Sequence, residues 1–422
     1  MYKNIFRTLV SRIIVALLTF AVVFISSRAL GPENYGTIGL IMVAISIALL
    51  FSALIGGTSL VFFTSRVDPA ALFTISSIWG IFMSLVISGA MALLNLYPSE
   101  YFIYVFLISL IANISQNLMF IILGKERIIQ QNIINVAQVF TLFVVIVFIF
   151  HGMRTPSVKF YLTSVLFSHC VATLVGVIFC RKDIFPLRLS GLALHIAEIT
   201  KYGIWVQLSS FVQLFNYRLS YYLVDWFLGR EMLGIYTLGV QLAESFWILP
   251  RSVAIVQFSH ISNLRNPKDS VNLSYKLMQL VIVIIAICSI PVFFIPEHWL
   301  TFVFGYGYAG IKMVLMMLIP AIIIFSGAII LSHFFSGIGK VWFNTITGLC
   351  GLVFTFFAGM ILIPRFELTG AAIATNISYV VIFVASLIIF VMYNKTSLRK
   401  LFSDGLTLAK LKDQIKMVLT KS

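Results

Sequence analysis

Charged side chains are scarce in this sequence. Asp, Glu, Lys and Arg together make up 10% of its 422 residues, whereas hydrophobic residues make up 60%. The mean hydropathy is +1.05. Soluble globular domains carry about 25% charged residues. The composition therefore excludes a soluble protein and is typical of a polytopic membrane protein.

Catalytic motifs are missing as well. The stretch FFSGIGKVW is the nearest approach to a phosphate-binding loop, but it lacks the earlier glycine and the Ser or Thr that a Walker motif needs. There is no G-x-S-x-G elbow and no H-E-x-x-H pair. All connections between apolar segments are short, so no soluble domain is present to house a reaction. We therefore expect a protein that is not an enzyme.

Cysteine is rare, and its spacing is not that of a metal site. The four cysteines lie within or at the edges of apolar runs, at Cys170, Cys180, Cys288 and Cys350. They are interpreted as small hydrophobic residues rather than as a disulfide framework. We expect neither a metal nor an organic cofactor.

Basic residues outnumber acidic ones, 29 to 14, which gives a net charge of +15. The Lys and Arg residues fall in short clusters between apolar runs, where they orient helices and contact anionic membrane lipids. We therefore expect no nucleic-acid partner. Most of these clusters would lie on the same side of the membrane as the N-terminus. The positive-inside rule therefore predicts that both termini are cytoplasmic.

Twelve apolar segments are long enough to cross a bilayer. They lie near residues 11–30, 38–63, 72–94, 101–123, 133–150, 158–180, 203–228, 233–258, 276–296, 311–335, 341–363 and 368–393. The sequence therefore predicts an all-α fold, a polytopic membrane protein with twelve transmembrane helices.

An internal repeat indicates two halves. The stretches LGPENYGTIGL (30–40) and LGREMLGIYTL (228–238) share five residues at an offset of 198. Parallel repeats of this kind occur in transporters, with the substrate handled between the lobes. We predict a six-helix N-terminal lobe at 1–180, a cytoplasmic linker with an interfacial amphipathic segment at 181–202, a six-helix C-terminal lobe at 203–393 and a basic amphipathic cytoplasmic tail at 394–422.

Polar residues inside the seventh predicted span indicate a hydrated cavity. Arg218 and Asp225 are seven residues apart and project nearly the same way on a helix, and Gln207 joins their stripe. A second stripe lies roughly opposite and contains Ser209, Gln213, Asn216 and Ser220. Ionisable groups within a membrane usually face a bundle interior or a water-filled cavity, so this span is expected to line a transport path.

The eighth predicted span repeats the pattern. Glu244 and Arg251 share a face, and Gln241 lies one turn earlier. Counted from the turn between the two spans, Arg218 and Glu244 lie at similar depths, so we predict that they face each other. Such a pair is either part of a transport site or a clamp that holds two helices together.

Three further arginines lie near the ends of the first two predicted spans. They are Arg12, Arg28 and Arg66. A long basic side chain at such a position either extends to the lipid head groups or reaches the cavity, and both interpretations stay open.

Three stretches resemble a known family. RALGPENYGTIGL, NYRLSYYLVDWFLGREMLGIYTLGVQLAE and FGYGYAG are similar to the polysaccharide-exporter branch of the multidrug/oligosaccharidyl-lipid/polysaccharide exporter superfamily, especially Wzx-type O-antigen flippases. The resemblance implies two six-helix lobes around a central cavity. It also implies movement of undecaprenyl-diphosphate-linked oligosaccharide from the cytoplasmic to the periplasmic leaflet of the cell inner (plasma) membrane, together with polysaccharide assembly machinery.

The resemblance gives the polar residues candidate roles. Arg218 and Arg251 would hold the diphosphate head group while the polyprenyl tail stays in lipid. Other candidates for substrate binding are Gln207, Asn216, Gln241, Arg12, Arg28 and Arg66. The family often has Arg-x-Asp in the seventh helix, but Ser220 stands here in place of the acid. Asp225 and Glu244 are therefore the candidates for coupling to H⁺ or Na⁺.

Two other functions remain in view. An ion-coupled multidrug exporter of the same superfamily would need a more acidic cavity for its cationic substrates. A membrane polysaccharide polymerase or ligase would need a large periplasmic loop for catalysis, and the loops on that side are short.

Overall fold

The computed structural model describes residues 2–64, 66–152, 156–187, 193–263 and 267–395. The predicted tail lies outside the described residues beyond residue 395, as do residues 188–192 of the predicted linker. Within the described ranges the regular structure is helical, with no strand. The prediction of an all-α fold is confirmed.

The described residues form twelve α-helices, which are not the twelve predicted spans. They are α1 (Tyr2–Ser52), α2 (Thr58–Phe63), α3 (Pro69–Leu93), α4 (Phe102–Gly124), α5 (Ile128–Gly152), α6 (Val158–Ile184), α7 (Ala193–Glu244), α8 (Ile248–Asn263), α9 (Pro267–Phe294), α10 (Glu297–Phe304), α11 (Ile311–Gly337) and α12 (Trp342–Asn394). In the described part of the chain, nine helical stretches are long and apolar enough to cross a membrane.

Three of the longest helices are interrupted by one residue each. Glu367 breaks α12, with φ 52° and ψ −132°. The chain reverses direction at this break. Ser378 Oγ, which follows it, donates to Gly351 O at 3.0 Å although the two residues are 27 apart in sequence. In α7 the break is at Gly229, and the rings of Tyr221 and Tyr236 lie 5.9 Å apart across it. A continuous helix would separate those two residues by about 22 Å.

The break in α1 has the same backbone conformation as the break in α7. Gly31 has φ 71° and ψ 171°, and Gly229 has φ 83° and ψ 179°. This region of φ/ψ space is open essentially to glycine alone. Both residues come second in the two repeated stretches, so the repeat read from the sequence is also a repeat of backbone geometry.

The chain divides into two compact units. One comprises Met1–Leu238 with Pro296–Lys312, and the other comprises Gly239–Ile295 with Met313–Ser422. The lobe boundaries at 180 and 203, which come from the internal repeat, stay a prediction.

The core of the first unit is an apolar cluster among α2 to α6. It contains Leu60, Leu72, Leu118 and Ile121, each fully buried, and Cys180. Glycine allows close approach between helices here, as at Gly176 against Leu118. Cys180 behaves as the small hydrophobic residue predicted from the sequence, and all four cysteines are free.

The second unit is built around aromatic side chains. Trp247, Phe325 and Tyr379 pack with ring centroids 4.5 to 5.6 Å apart. Trp247 ends a 3₁₀ turn, Ser245–Trp247, that separates α7 from α8. Pro250 lies in the first turn of α8 and has no backbone N–H, so the carbonyl four residues earlier loses its helical partner. The 3₁₀ turn is the expected result.

Candidate transport site

The two repeated stretches cross each other within the first unit. A Cβ atom added to Gly36 would overlap the carbonyl oxygen of Arg230, and one added to Gly234 would overlap that of Pro32. At the offset of 198, Gly36 corresponds to Gly234 and Pro32 corresponds to Arg230, so the two contacts are equivalent. The crossing, defined here as residues 31–39 with 229–237, therefore has a local two-fold relation and brings backbone against backbone.

Other residues of the first unit close around the crossing. Tyr308 is 1% exposed, and its hydroxyl donates to Ser27 O at 3.1 Å. Its ring meets that of Tyr35 edge-on at 6.4 Å. A Cβ on Gly39 would lie 2.9 Å from Thr237 Oγ1, and one on Gly307 would lie 2.9 Å from Pro32 Cδ. The crossing leaves no room for a solute.

A pocket of about 320 Å³, with several polar side chains in a largely apolar lining, opens elsewhere in the same unit. We call it the amide pocket because three glutamines line it. The lining residues are Ser46, Leu49, Leu50, Ala53, Gln116, Gln207, Ser210, Gln213, Leu214 and Tyr217. None of these described residues is Asp, Glu, Lys, Arg or His. Its polar surface is made of amides and hydroxyls.

The amide pocket lies at an interruption between two helices. α1 ends at Ser52 and α2 begins at Thr58, with Gly57 at φ 60° between them. Gln207 Nε2 donates to Ala53 O at 3.2 Å, so one backbone carbonyl freed by the break is satisfied by α7. Non-helical backbone at membrane depth is tolerated where it is buried in protein or lines a water-filled cavity. Discontinuous helices of this kind often form substrate sites in transporters.

The crossing and the amide pocket are built from the same two chain segments. Gly36 and Ala53 are 17 residues apart in α1 and its continuation, and Gly229 and Gln213 are 16 apart in α7. At 1.5 Å per residue each separation is about 25 Å along the helix. The two segments therefore contact each other through their backbones at one end and line the amide pocket at the other end.

Two of the substrate-binding candidates in α7 lie at or next to the pocket. Gln207 lines it. Arg218 follows Tyr217 and is half-buried, with its guanidinium 5.0 Å from the centre of the Tyr221 ring and Nη1 donating to the Tyr221 hydroxyl at 3.2 Å. Of the stripe predicted from the sequence, Gln207 therefore lines the amide pocket, whereas Arg218 lies next to it and contacts Tyr221.

Asn216 is buried within its own unit, and its proposed role in substrate binding stays a prediction. It is 4% exposed, and its amide donates to Val212 O at 3.0 Å within the same helix. Its neighbour in the second stripe, Gln213, lines the pocket instead and donates from Nε2 to the Tyr217 hydroxyl at 3.1 Å.

Asp225 has an ion-pair partner across the Gly229 turn. Arg230 Nε lies 2.5 Å from Asp225 Oδ1, and both side chains are mostly shielded from solvent. The sequence pattern alone gives Asp225 no partner. Arg230, five residues later, was overlooked because the predicted turn after residue 228 does not give the direction of its side chain.

The arginines of the first two predicted spans are exposed. Arg12 and Arg66 lie on the surface, and the Arg28 guanidinium lies 5.7 Å from the centre of the Phe302 ring. None of the three is among the described residues that line the amide pocket.

The remaining candidates belong to the second unit. Arg251 is exposed, with its guanidinium 5.3 Å from the centre of the Trp247 ring, and Gln241 and Glu244 are half-buried. Since Arg218 and Glu244 lie in different units, their pairing stays a prediction.

Comparison with known proteins identifies the family. Residues 25–312, which include the crossing and the amide pocket, match the family model described as polysaccharide biosynthesis protein. The chain belongs to the polysaccharide biosynthesis protein family. The resemblance predicted from its motifs is thereby confirmed. No curated protein matches the chain in sequence.

Solved structures similar to this family member are membrane transporters. The lipid II flippase MurJ in an inward closed conformation has a TM-score of 0.71 at 14% identity, over 100% of this chain and 93% of that chain. An inward-facing multidrug resistance MATE family transporter of the MOP superfamily has a TM-score of 0.66 at 16% identity, over 94% and 100%. Its outward-facing counterpart has a TM-score of 0.60 at 15% identity, over 94% and 97%.

These likenesses establish the fold. Together with nine apolar helices in the described part of the chain, they make the protein a multi-pass membrane protein with the fold of MATE and MurJ transporters. Its family and fold resemble those of transporters and flippases rather than enzymes.

Proposed function

We propose that the protein is a flippase for polyprenyl-diphosphate-linked oligosaccharide, moving an O-antigen or other surface polysaccharide repeat unit from the cytoplasmic to the periplasmic leaflet of the inner membrane. The family match and the MurJ-like fold support this function. The observation that carries it is the amide pocket beside a broken membrane helix, because its uncharged hydrogen-bonding lining suits a glycan.

The proposal includes a membrane topology. If each break, at Gly31, Gly229 and Glu367, is a turn at a membrane surface, the nine long helices become twelve spans in two six-helix lobes. With cytoplasmic termini, the turns at Gly31 and Gly229 fall on the periplasmic side. The crossing then closes the periplasmic end while the amide pocket, about 25 Å away, lies toward the cytoplasm. An alternating-access cycle would open and close these two ends in turn.

The diphosphate requires cationic partners. Its charge cannot cross about 30 Å of hydrocarbon unaided, and guanidinium groups bind phosphate oxygens in pairs of hydrogen bonds. Arg218 and Arg251 are the proposed head-group ligands, each held by an aromatic ring. The polyprenyl chain stays in the surrounding lipid.

Ion coupling is a second-order part of the proposal. Asp225 and Glu244 are the candidates for binding H⁺ or Na⁺. At Asp225 a coupling ion would compete with Arg230, so binding of the ion would release the ion pair at the edge of the crossing. Assembly enzymes that make and polymerise the glycan are the expected partners.

A multidrug exporter has the same fold and is the main alternative. A cationic drug would need acidic groups in its binding site, and the described lining of the amide pocket contains none. The pocket therefore favours the glycan.

Reconstitution into proteoliposomes tests the proposed function. Wild-type protein is expected to move a fluorescent undecaprenyl-diphosphate glycan between leaflets faster than protein-free vesicles do, as measured by quenching from the outside. A cationic dye should not be exported. Dye export without any movement of the glycolipid would show that the protein is a drug exporter.

A further inference from the structure

The amide pocket lacks the charges that a diphosphate needs. Phosphate oxygens are bound by Arg, Lys, backbone N–H groups or metal ions. Among the described lining residues only neutral side chains are found, and the nearest arginine along α7, Arg218, is directed to Tyr221. A buried anion without a cationic partner is strongly disfavoured. The head group is therefore not the part of the substrate that this pocket fits.

The pocket offers both hydrogen-bond donors and acceptors. A glutamine amide has two N–H donors and a carbonyl acceptor, and Tyr217 adds a hydroxyl and a ring face. A sugar hydroxyl is likewise both donor and acceptor, so a neutral, hydroxyl-rich ring matches this set of groups. A volume of about 320 Å³ is near the lower end of ligand pockets, which run from about 300 to 1,000 Å³. It fits one part of a glycan rather than a whole repeat unit.

Gln116 is the lining residue with the most hydrogen-bonding capacity left over. It lies half-buried on α4, and within the described part of the chain its amide forms no hydrogen bond. Gln207 and Gln213 each use Nε2, on Ala53 O and the Tyr217 hydroxyl respectively. These two bonds fix the amides of α7 in place, whereas the amide of Gln116 remains available to a ligand.

The second half of the chain differs in charge at the corresponding positions. At the offset of 198, Ser46 corresponds to Glu244 and Ala53 corresponds to Arg251. Two neutral residues at the pocket thus have charged counterparts in the other half. The two halves therefore share the backbone conformation of their turns but differ in the charge of these side chains.

We propose that the amide pocket is the subsite for an uncharged sugar of the glycan, that Gln116 is a residue that determines its specificity, and that the diphosphate binds outside this pocket. The inference rests on the proposed flippase function. It assigns the pocket to neutral hexose or N-acetylhexosamine rings and excludes acidic sugars from it.

Two glycolipids that share one anchor test the inference. The probes are undecaprenyl diphosphate carrying a single N-acetylglucosamine and undecaprenyl diphosphate without sugar, each assayed in proteoliposomes. Gln116→Leu removes the amide at nearly the same volume. We expect it to raise the concentration of the glycosylated probe needed for half-maximal transport about 3- to 10-fold and to leave the bare lipid unchanged. Gln131→Leu, on α5 away from the pocket, is the matched control.

The possible results separate the two proposals. If wild type moves neither probe, the flippase function itself is wrong. If wild type moves both and Gln116→Leu affects both equally or neither, the sugar subsite is wrong while the function stands. Should Gln116→Leu fail to reach the membrane, Gln116→Asn withdraws the amide by one methylene and is read in the same way.

A gain of specificity provides an independent check. Gln116→Arg places a cation in the pocket and is expected to favour a probe that carries glucuronic acid over the N-acetylglucosamine probe, reversing the wild-type preference. An unchanged preference in a folded Gln116→Arg protein would overturn the assignment.

Discussion

The segments 30–53 and 228–251 are related by one offset, yet they agree at one end and differ at the other. At the turns, Gly31 and Gly229 have nearly the same dihedral angles, and Gly36 and Gly234 make reciprocal backbone contacts. Further along, Ser46 and Ala53 are replaced by Glu244 and Arg251. The repeat is preserved where two backbones meet, and it has diverged at two positions that line the amide pocket.

The two ends have different tasks in the proposed function. The crossing closes one end of the path, and the other end recognises the substrate. A backbone contact needs glycine and is insensitive to the substrate, so symmetry suits it. Recognition of a molecule with a neutral sugar at one end and a charged diphosphate at the other needs two unlike surfaces.

The largest effect is expected at the crossing. Gly36→Ala and Gly234→Ala each place a methyl group where a carbonyl oxygen already lies, and backbone cannot move aside as a flexible side chain can. Each substitution should destabilise the protein by about 3 kcal/mol, abolish transport, and do so to the same extent as the other. Thermal unfolding in detergent and glycolipid transport measure this.

Gly89→Ala is the matched control for the crossing. Its added methyl group would have Phe102 Cε2 at 3.9 Å as its nearest neighbour, and alanine favours a helix over glycine by about 1 kcal/mol. This variant should be at least as stable as wild type. Unequal losses of stability at Gly36 and Gly234 would show that the two equivalent contacts do not contribute equally to stability.

The next effect is expected at the charged position of the second half. Arg251→Ala should reduce transport of a diphosphate lipid about tenfold or more through loss of charge-assisted hydrogen bonds. Arg365→Ala, an exposed arginine of α12, should leave transport unchanged. Initial rates in proteoliposomes decide the matter, and wild-type transport by Arg251→Ala would remove this residue from the head-group site.

A charge swap tests the predicted pairing of Arg218 with Glu244. Arg218→Glu and Glu244→Arg should each lose transport, since each leaves like charges at the site. If the double variant regains transport, the pair acts as a structural clamp. If the double variant stays inactive while folding normally, as judged by gel filtration, the two residues act on the substrate or the coupling ion.

The smallest effect is expected at Asp225. Asp225→Asn breaks a partly exposed ion pair with Arg230, so the cost in stability should be about 1 kcal/mol or less. If Asp225 carries the coupling ion, transport by this variant should no longer respond to an imposed proton or sodium gradient. A normal response to both gradients would assign coupling to another residue.

Hydropathy and the glycine repeat were enough to predict the helical fold and the equivalence of the two turns. The interruption at residues 53–57 was missed because the apolar run 38–63 continues through it, although Gly56 and Gly57 marked the place. Gln207 was found from its stripe on a helix. Gln116 was not, because its approach to α7 depends on packing between helices far apart in sequence.

Asn216 shows what helical periodicity leaves out. Its polar side chain within an apolar span indicated a ligand, but the asparagine satisfies its own donor on Val212 O one turn earlier. Helical periodicity gives the direction of a side chain and not its hydrogen-bond partner. Arg230 escaped notice for a related reason, since the predicted turn after residue 228 does not give the direction in which the Arg230 side chain points.

If the proposed function is correct, the amide pocket is hydrated, reached from the cytoplasm and occupied by substrate. Gln213 is exposed in this pocket, so Gln213→Cys can report on it after the exposed cysteines Cys170, Cys288 and Cys350 are replaced by Ala. A membrane-impermeant maleimide should label position 213 from the cytoplasmic side, and undecaprenyl-diphosphate glycan should slow the labelling. No labelling from that side, or labelling that the glycolipid leaves unchanged, would show that this pocket is not the substrate site.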